Sequence, residues 1–224
     1  MKVTTDACLF GAWVAEEARS QESGVGSSLD IGTGTGLLAL MLAQKNSETN
    51  ILAIEIDKDA AAQAANNIDS SLWKDHVDLL EADVKDLSFP EKFDLIISNP
   101  PFYEKELRSD TDKKNIAHHS ENLTLKELLN IIKNNLNPDG NFFLLLPYKR
   151  NDEIKKLFRD HELPISKMIL VRQSVNHDYF RIFIKGSLNA EEKETEFDEL
   201  SIWDDKKQYT NEFVMLLKDY YLHL

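Results

Sequence analysis

The sequence predicts an α/β fold in which a seven-stranded, mostly parallel sheet is covered by helices on both faces and ends in an antiparallel hairpin. From residue 28 to residue 183, short β-rich runs alternate with helical stretches, the order that builds parallel sheets. Runs such as FDLIIS and FFLLLP are almost continuously apolar, as expected for central strands buried on both faces. Only residues 174–178 separate the last two runs, too few for a parallel crossover.

The predicted strands follow the runs that are rich in β-branched and aromatic residues. They are 28–31, 50–56, 77–81, 93–98, 141–146, 168–173 and 179–185. Helical composition or helical apolar spacing predicts the helices between them, namely 37–44, 57–68, 124–135 and 152–161. Asp57 and Thr124 have side chains that cap helix N-termini. Residues 187–196 are expected to form a charged linker and 208–221 a closing amphipathic helix.

Length and composition are typical of one ordinary globular domain. The chain has 224 residues, of which 42% are hydrophobic and 29% charged, far from the composition of disordered segments. We predict a single domain over 1–224, with an N-terminal element, 1–27, at the ligand edge of the sheet and a linker and closing helix over 187–224.

The first residues lack the layout of a secretory signal, and no apolar run approaches the length of a membrane span, about 20 residues. Because Cys8 is the only cysteine, an internal disulfide and a thiolate zinc cluster are excluded. We expect a cytoplasmic monomer without a metal or a membrane partner.

The net charge of −13 does not indicate a nucleic-acid partner, because such proteins usually neutralise phosphates with Lys and Arg. Much of the acid is concentrated late in the chain, at Glu191, Glu192, Glu194, Glu196, Asp198 and Glu199. The sequence therefore does not exclude a basic contact surface elsewhere in the chain. Its candidates are Lys149, Arg150, Lys155, Lys156 and Arg159. A solvated helix face explains these residues equally well.

A glycine-rich turn, LDIGTGTG, follows the first predicted strand and opens a helix. Gly32, Gly34 and Gly36 allow a tight turn and a close approach to a ligand, and the helix N-terminus offers free N–H groups. The spacing G-x-G-x-G after an acid departs from the pyrophosphate fingerprint G-x-G-x-x-G. Asp30 would repel a pyrophosphate but can orient the ammonium of a methionyl group. The alternative is an ordinary glycine-rich turn without a ligand.

Two further acids, Glu55 and Asp83, end the next two predicted strands. Glu55 can accept both ribose hydroxyls of an adenosine, and Asp83 can accept a hydrogen bond from the adenine amino group. Asp57 competes with Glu55 but suits a helix cap better, and Asp83 alone would be read as a solvated loop acid. Ligands of open α/β sheets bind at the carboxyl edge, where these acids join Asp30. The pattern predicts S-adenosylmethionine as the cofactor.

The tetrad Asn99-Pro100-Pro101-Phe102 follows a buried strand and predicts methyl transfer to a conjugated amine. The lone pair of such a nitrogen is delocalised, so the site must hold the amine in line with the sulfonium methyl. The Asn99 side chain and the Pro100 carbonyl can each accept one N–H, with Asn99 also bordering the cofactor, and Pro101 stiffens the loop. Phe102 can stack on a flipped base, a contact of about 1–3 kcal/mol. No general base, nucleophile or metal is required. The alternative is a strand-ending Pro-Pro turn with a packing aromatic.

The segment 103–121 is a long polar insertion beside this tetrad, with balanced charges. A lid that orders on RNA and a solvated loop are both open interpretations. His118 and His119 have no further ligands near them in sequence, and we interpret them as surface residues rather than as a metal or acid–base pair.

The opening KVTTDACLFGAW is similar to the element K-V-x-T-D-x-x-L-L-G-A-W of the bacterial tRNA1(Val) (adenine-37) N(6)-methyltransferases. With DIGTGTGLLALMLAQ, NPPF and the tail YTNEFVMLLKDYYL, the chain resembles that family over nearly its whole length. The resemblance implies a Rossmann-like class I S-adenosylmethionine-dependent methyltransferase that modifies the 6-amino group of adenine-37 in tRNA. It also implies that Thr5 and Asp6 border the methionine end of the pocket.

Two departures from that family shape the expected RNA affinity. Family members usually carry a segment rich in Phe, Lys and Gln ahead of the opening element, and His118 stands where they often have Arg. With the charge of −13, weak and salt-sensitive tRNA binding is expected. One alternative function is methylation of a glutamine side chain in a release factor, which would call for an N-terminal helical recognition domain. Another is a non-catalytic RNA-binding or cofactor-binding module, against which the intact Asn99 argues.

Overall fold

The computed structural model describes residues 2–20, 24–101, 123–189 and 194–224. The helices are α1 (Thr5–Arg19), α2 (Leu37–Lys45), α3 (Lys58–Asp69), α4 (Leu125–Asn135), α5 (Asn151–Asp160) and α6 (Asn211–Leu217). The strands are β1 (Ser27–Ile31), β2 (Asn50–Glu55), β3 (Val77–Glu81), β4 (Phe93–Ser98), β5 (Leu136–Pro147), β6 (Ile165–Ser174), β7 (Tyr179–Ser187) and β8 (Glu196–Trp203). Short 3-10 turns occupy Lys74–His76, Val84–Asp86 and Tyr148–Arg150.

The strands form one mostly parallel sheet in the order β3-β2-β1-β4-β5-β7-β6-β8. All seven predicted strands are present, and the predicted hairpin is confirmed, because β7 pairs antiparallel with both β5 and β6. The strand order reverses at β1, where Ile31 pairs with Ile54 on one side and with Ser98 on the other. Such a switch point is where open α/β sheets bind ligands, beyond the carboxyl ends of the strands.

The prediction of seven strands with a final hairpin was wrong by one strand, because β8 follows the hairpin and pairs parallel with β6. The predicted linker 187–196 overlaps the last residue of β7 and the first of β8. β8 is an edge strand whose first four residues are exposed, and only Leu200 and Ile202 are buried in it. The acidic residues of β8 make it look like a linker in the sequence. In the structure, Glu196 and Asp198 lie 3.0 and 3.2 Å from Lys167 Nζ on β6 and pair with it.

Helix predictions differ from the structure mainly at the two ends of the chain. The closing helix was predicted too long, since α6 begins only after Thr210, whose side chain accepts from Phe213 N. The sequence reasoning did not predict α1, because this helix is buried on most of its surface and lacks amphipathic spacing. Asp57 and Thr124 do cap α3 and α4, and Thr124 forms a capping box with Glu127.

Two hydrophobic cores lie on opposite faces of the sheet. Helices α1, α2, α3 and α6 contribute to one, which includes Phe10, Trp13 and Phe183. Helices α4 and α5 pack on the other, against side chains such as Phe142. Among the described residues, no helix combines the length and apolar character needed to cross a membrane. The layered core holds the carboxyl ends of β1, β2 and β4 at one fixed edge.

Candidate active site

Asp30 lies near the end of β1 and is completely buried. Its Oδ2 accepts a hydrogen bond from Thr33 Oγ1 at 2.6 Å, whereas its Oδ1 has no hydrogen-bond partner in the described parts of the chain. Burial raises the pKa of Asp30 to about 7. Hydrogen bonding by the Thr33 hydroxyl and the Ala39 backbone opposes this rise, and the nearby Glu55 charge adds to it. Asp30 therefore supports the loop from below and keeps one acceptor uncommitted.

The glycine loop turns sharply above Asp30. Gly32, Gly34 and Gly36 have φ values of +71°, +61° and +80°, a region that residues with a Cβ rarely adopt. The N–H groups of Gly32 and Thr33 both donate to the Ile54 carbonyl, at 2.9 and 3.0 Å, which ties the loop to β2. Within the described parts of the chain, no atom beyond the adjacent residues lies within 4 Å of the position that a Cβ on Gly32 would take. The loop is therefore open to a ligand at Gly32.

Glu55 ends β2 and is mostly buried. Its Oε2 accepts from Gly34 N at 2.7 Å and its Oε1 from Asp57 N at 2.9 Å. Each carboxylate oxygen has two lone pairs, so acceptor capacity remains for further donors. Glu55 is thus held in one orientation beside the glycine loop and also fixes that loop, which the sequence did not predict. Its role as a ribose acceptor stays a prediction.

Asp83 lies just beyond β3 and, unlike Asp30 and Glu55, is partly exposed. Its Oδ1 accepts from Lys85 N at 2.9 Å and so caps the turn Val84–Asp86. Its Oδ2 lies 3.3 Å from Lys85 Nζ. Asp57, the rejected competitor of Glu55, accepts from Ala60 N at 2.8 Å. Its predicted role as a helix cap is confirmed.

The Asn-Pro-Pro segment follows β4, the strand beside β1. The buried Ser98 donates its hydroxyl proton to the Ile31 carbonyl at 2.7 Å, which fixes the end of β4 against the start of the glycine turn. Asn99 is then half-buried, Pro100 buried and Pro101 exposed. The carboxyl ends of parallel strands meet at one edge, so the structure brings Asn99 to the same edge as the loop and both buried acids.

Several predicted residues lie outside the described parts of the chain. They are Phe102, the loop 103–121, and His118 and His119 within it. Their predicted roles stay predictions.

Thr5 and Asp6 begin α1 at the carboxyl edge as well. Asp6 accepts from Arg181 Nε at 2.7 Å, and Arg181 lies opposite Pro147 at the end of β5. Thr5 and Asp6 both line a cavity on the far side of β5, which Trp203 also lines. Sequence reasoning missed Arg181, because an antiparallel strand far along the chain brings it to Asp6 and no motif marks it.

The predicted basic contact set does not form one open surface. Arg150 pairs with Glu153 at 2.6 Å and Lys156 with Asp160 at 2.6 Å, and Lys155 lies over an aromatic ring of β8. The Arg150 pair holds the pKa of Glu153 below its usual range. Most of these cations are therefore engaged with their own surroundings.

The model of the methyltransferase small domain family matches residues 17–166. The chain belongs to this family. It is 36% identical over 227 residues to the tRNA1(Val) (adenine(37)-N6)-methyltransferase of Bacteroides thetaiotaomicron, a match that covers 100% of this chain and 92% of that protein. The protein of the same name from Dyadobacter fermentans is 45% identical over 147 residues, 66% of this chain and 59% of its own. The family resemblance inferred from the sequence is confirmed.

Solved methyltransferase structures share the fold at low identity. A predicted O-methyltransferase from Agrobacterium tumefaciens superposes with a TM-score of 0.68 at 15% identity, covering 95% of both chains. A putative class I S-adenosylmethionine-dependent methyltransferase from Listeria monocytogenes gives 0.64 at 15% identity, covering 88% of this chain and 64% of its own. The predicted Rossmann-like methyltransferase fold is confirmed, with the extra strand β8.

Proposed function

We propose that this methyltransferase transfers a methyl group from S-adenosylmethionine to the 6-amino group of adenine in tRNA, with adenine-37 of tRNA1(Val) as the target. The observation that carries the proposal is the identity of 36% along the whole chain to a protein named for that reaction. With such a substrate, we also expect the enzyme to act in the cytoplasm, as a monomer.

The residues at the carboxyl edge fit an adenosyl and methionyl ligand. S-adenosylmethionine supplies a methyl group on a sulfonium, which is a strong leaving group. Asp30 offers one uncommitted buried acceptor, suited to an ammonium, and Glu55 offers fixed acceptors for hydroxyls. Gly32 leaves open space where a side chain would stand, and Gly34 and Gly36 complete the turn.

Asp83, Thr5 and Asn99 complete the proposed cofactor site with smaller contributions. Asp83 is held by Lys85 at both carboxylate oxygens, and the second lone pair of each oxygen remains as an acceptor for an adenine amino group. Thr5 is exposed at the N-terminus of α1, on the side of the methionyl group. Asn99 stands between cofactor and substrate.

The Asn-Pro-Pro-Phe segment addresses the substrate amine in this proposal. The Asn99 side-chain oxygen and the Pro100 carbonyl each accept one N–H of the 6-amino group, which favours a pyramidal nitrogen with its lone pair free. The buried Pro100 and adjacent Pro101 keep this loop stiff, so the acceptors are set before substrate arrives. Phe102 stacks on the flipped base.

Nucleoside mass spectrometry tests the proposal directly. Unmodified tRNA1(Val) transcript, incubated with the enzyme and S-adenosylmethionine, should yield 6-methyladenosine, and the transcript with guanine-37 should yield none. A release-factor fragment with its glutamine serves as the competing substrate. Methylation of that glutamine with tRNA untouched would overturn the RNA assignment and leave the methyltransferase assignment in place.

A further inference from the structure

A cavity of about 290 Å3 opens on the carboxyl edge between α1 and the ends of β6, β7 and β8. It lies beyond β5, and neither Asn99 nor the glycine loop lines it. Adjacent strands are about 4.8 Å apart, so β7 is about 10 Å from β4. The cavity therefore lies beside the proposed cofactor site, with Thr5 at the boundary between the two, and close to the site where the target amine is proposed to bind.

The walls of this cavity are aromatic and rigid. Trp203 stacks on Tyr209, with ring centroids 4.1 Å apart, and Tyr209 stacks on the buried Phe213 at 4.4 Å. Phe180 lines the cavity with the first two rings. The Trp203 and Tyr209 backbones also form a β-bridge. Because packing already holds the rings, a planar ligand would lose little affinity to ordering them.

Among the described residues, the polar side chains that line the cavity are those of Thr5, Asp6 and Gln173. Asp6 is mostly buried and paired with Arg181, so its charge is compensated. Gln173 is exposed and lines the cavity, where its amide can donate and accept. An anion would meet the Asp6 carboxylate, and an aliphatic chain would leave these polar groups without partners. Aromatic walls with a few polar groups suit a neutral planar ligand with hydrogen-bonding edges.

We propose that this cavity is a second base-binding subsite, which takes a nucleobase flanking the target adenine. The inference rests on the proposed function, because RNA is the ligand that presents such a base next to the target. Single-stranded RNA is recognised by bases that leave the stack, lie on aromatic side chains and are read at their edges. Phe180 and Trp203 provide the stacking faces, Tyr209 supports Trp203 from behind because it is itself sandwiched between Trp203 and Phe213, and Gln173 contacts the edge of the base.

Fluorescence of 2-aminopurine tests the subsite without requiring methyl transfer. Anticodon stem-loop RNAs carry 2-aminopurine at one position at a time on either side of the target, and the enzyme is added with S-adenosylhomocysteine. We expect saturable quenching at one flanking position. Phe180→Leu and Gln173→Ala should each weaken that binding by about fivefold to tenfold, in line with the loss of part of a stacking or edge contact.

Gln208→Ala is the matched control, since Gln208 is exposed and does not line the cavity; its affinity should stay at the wild-type value. Melting temperatures identify any variant that is unfolded. In steady-state methylation, Gln173→Ala should raise KM for the RNA and leave kcat unchanged.

The outcomes separate the subsite from the proposed function. Quenching at no flanking position overturns the subsite, whether or not adenine is methylated. Quenching that Gln173→Ala weakens as expected, in an enzyme that methylates no RNA, supports the subsite and overturns the function. Binding of the release-factor fragment in place of RNA, with the same dependence on Gln173, overturns the assignment to a nucleobase.

Discussion

At the scale of single residues, the candidate site contains buried acids that also stabilise the glycine loop through hydrogen bonds. Glu55 fixes the glycine loop through Gly34 N, and Asp30 holds Thr33. Their positions were predictable from the sequence, because each acid lies at or next to the carboxyl end of a parallel strand. Their backbone partners were not, because loop hydrogen bonds depend on φ values that only the folded chain shows. The pairing of Asp6 with Arg181 was equally hidden.

The raised pKa of Asp30 predicts a specific pH dependence of stability. Burial raises this pKa from its usual 3.8 to about 7, so the folded state binds a proton that the unfolded state releases. Stability from this group is fully present below pH 3.8 and is lost as the pH rises toward 7, with an upper bound on the order of 4 kcal/mol. Asp30→Asn removes the ionisation. Urea unfolding of the ligand-free enzyme should show the variant gaining stability over wild type from pH 5 to pH 8, and a constant difference would contradict the burial argument.

Asn99→Ala should separate chemistry from cofactor binding. In the proposed mechanism Asn99 accepts from the substrate amine, so its loss should reduce methylation of tRNA by at least about 100-fold, the scale for one preorganised hydrogen-bonding group. Calorimetry with S-adenosylmethionine should show nearly unchanged affinity. A loss of cofactor affinity as large as the loss of rate would contradict this, because it would show that Asn99 acts mainly by binding the cofactor.

Glu55→Ala is the complementary change. It removes the proposed ribose acceptor and the partner of Gly34 N, so cofactor affinity should fall by about 1–3 kcal/mol. Asp83→Ala provides the comparison with a partly exposed acid, for which a smaller loss is expected. If calorimetry shows that Glu55→Ala binds the cofactor as tightly as wild type, the assignment of the pocket is wrong.

At the scale of elements, the sequence predicted those that are apolar and regular and missed those that are not. The central strands were predictable because they are buried on both faces. β8 was hidden, because on an edge strand only Leu200 and Ile202 face the core and the acids look like a linker. α1 was hidden for the opposite reason, since burial on nearly all sides erases helical periodicity.

Close packing between elements predicts different costs for two glycine substitutions. A Cβ on Gly186 of β7 would lie 2.3 Å from the Pro164 carbonyl oxygen, which is fixed backbone. A Cβ on Gly11 of α1 would lie 2.7 Å from Met41 Sδ, in a flexible side chain, and Ala also favours the helix by about 1 kcal/mol. Gly186→Ala should therefore destabilise by about 3 kcal/mol or more, and Gly11→Ala by far less. Urea midpoints measure both, and equal losses would mean that neighbouring elements adjust more freely than this packing implies.

At the scale of the whole molecule, a net charge of −13 has to be reconciled with a tRNA substrate. Glu196 and Asp198 lie at the amino end of β8, the opposite edge from the glycine loop, and pair with Lys167. The carboxyl edge carries cations of its own, among them Arg181 and the exposed Lys149 at the end of β5. The acid is thus partly segregated from the proposed RNA surface.

This distribution predicts weak tRNA binding that falls steeply with salt. Contacts to about four phosphates of a single-stranded loop would give a slope of log affinity against log salt of about −3. Lys149→Ala should reduce the magnitude of that slope by about 0.7, the share of one phosphate contact. Lys74→Ala is the control, because Lys74 is exposed just before β3 at the opposite edge of the sheet, and its slope should match wild type. Fluorescence titrations of tRNA from 50 to about 200 mM salt, a range over which phosphate contacts are strongly screened, provide the measurement. Tight binding independent of salt would contradict the prediction and show that stacking and hydrogen bonds dominate. Equal effects of Lys149→Ala and Lys74→Ala would show that the RNA does not bind at the carboxyl edge.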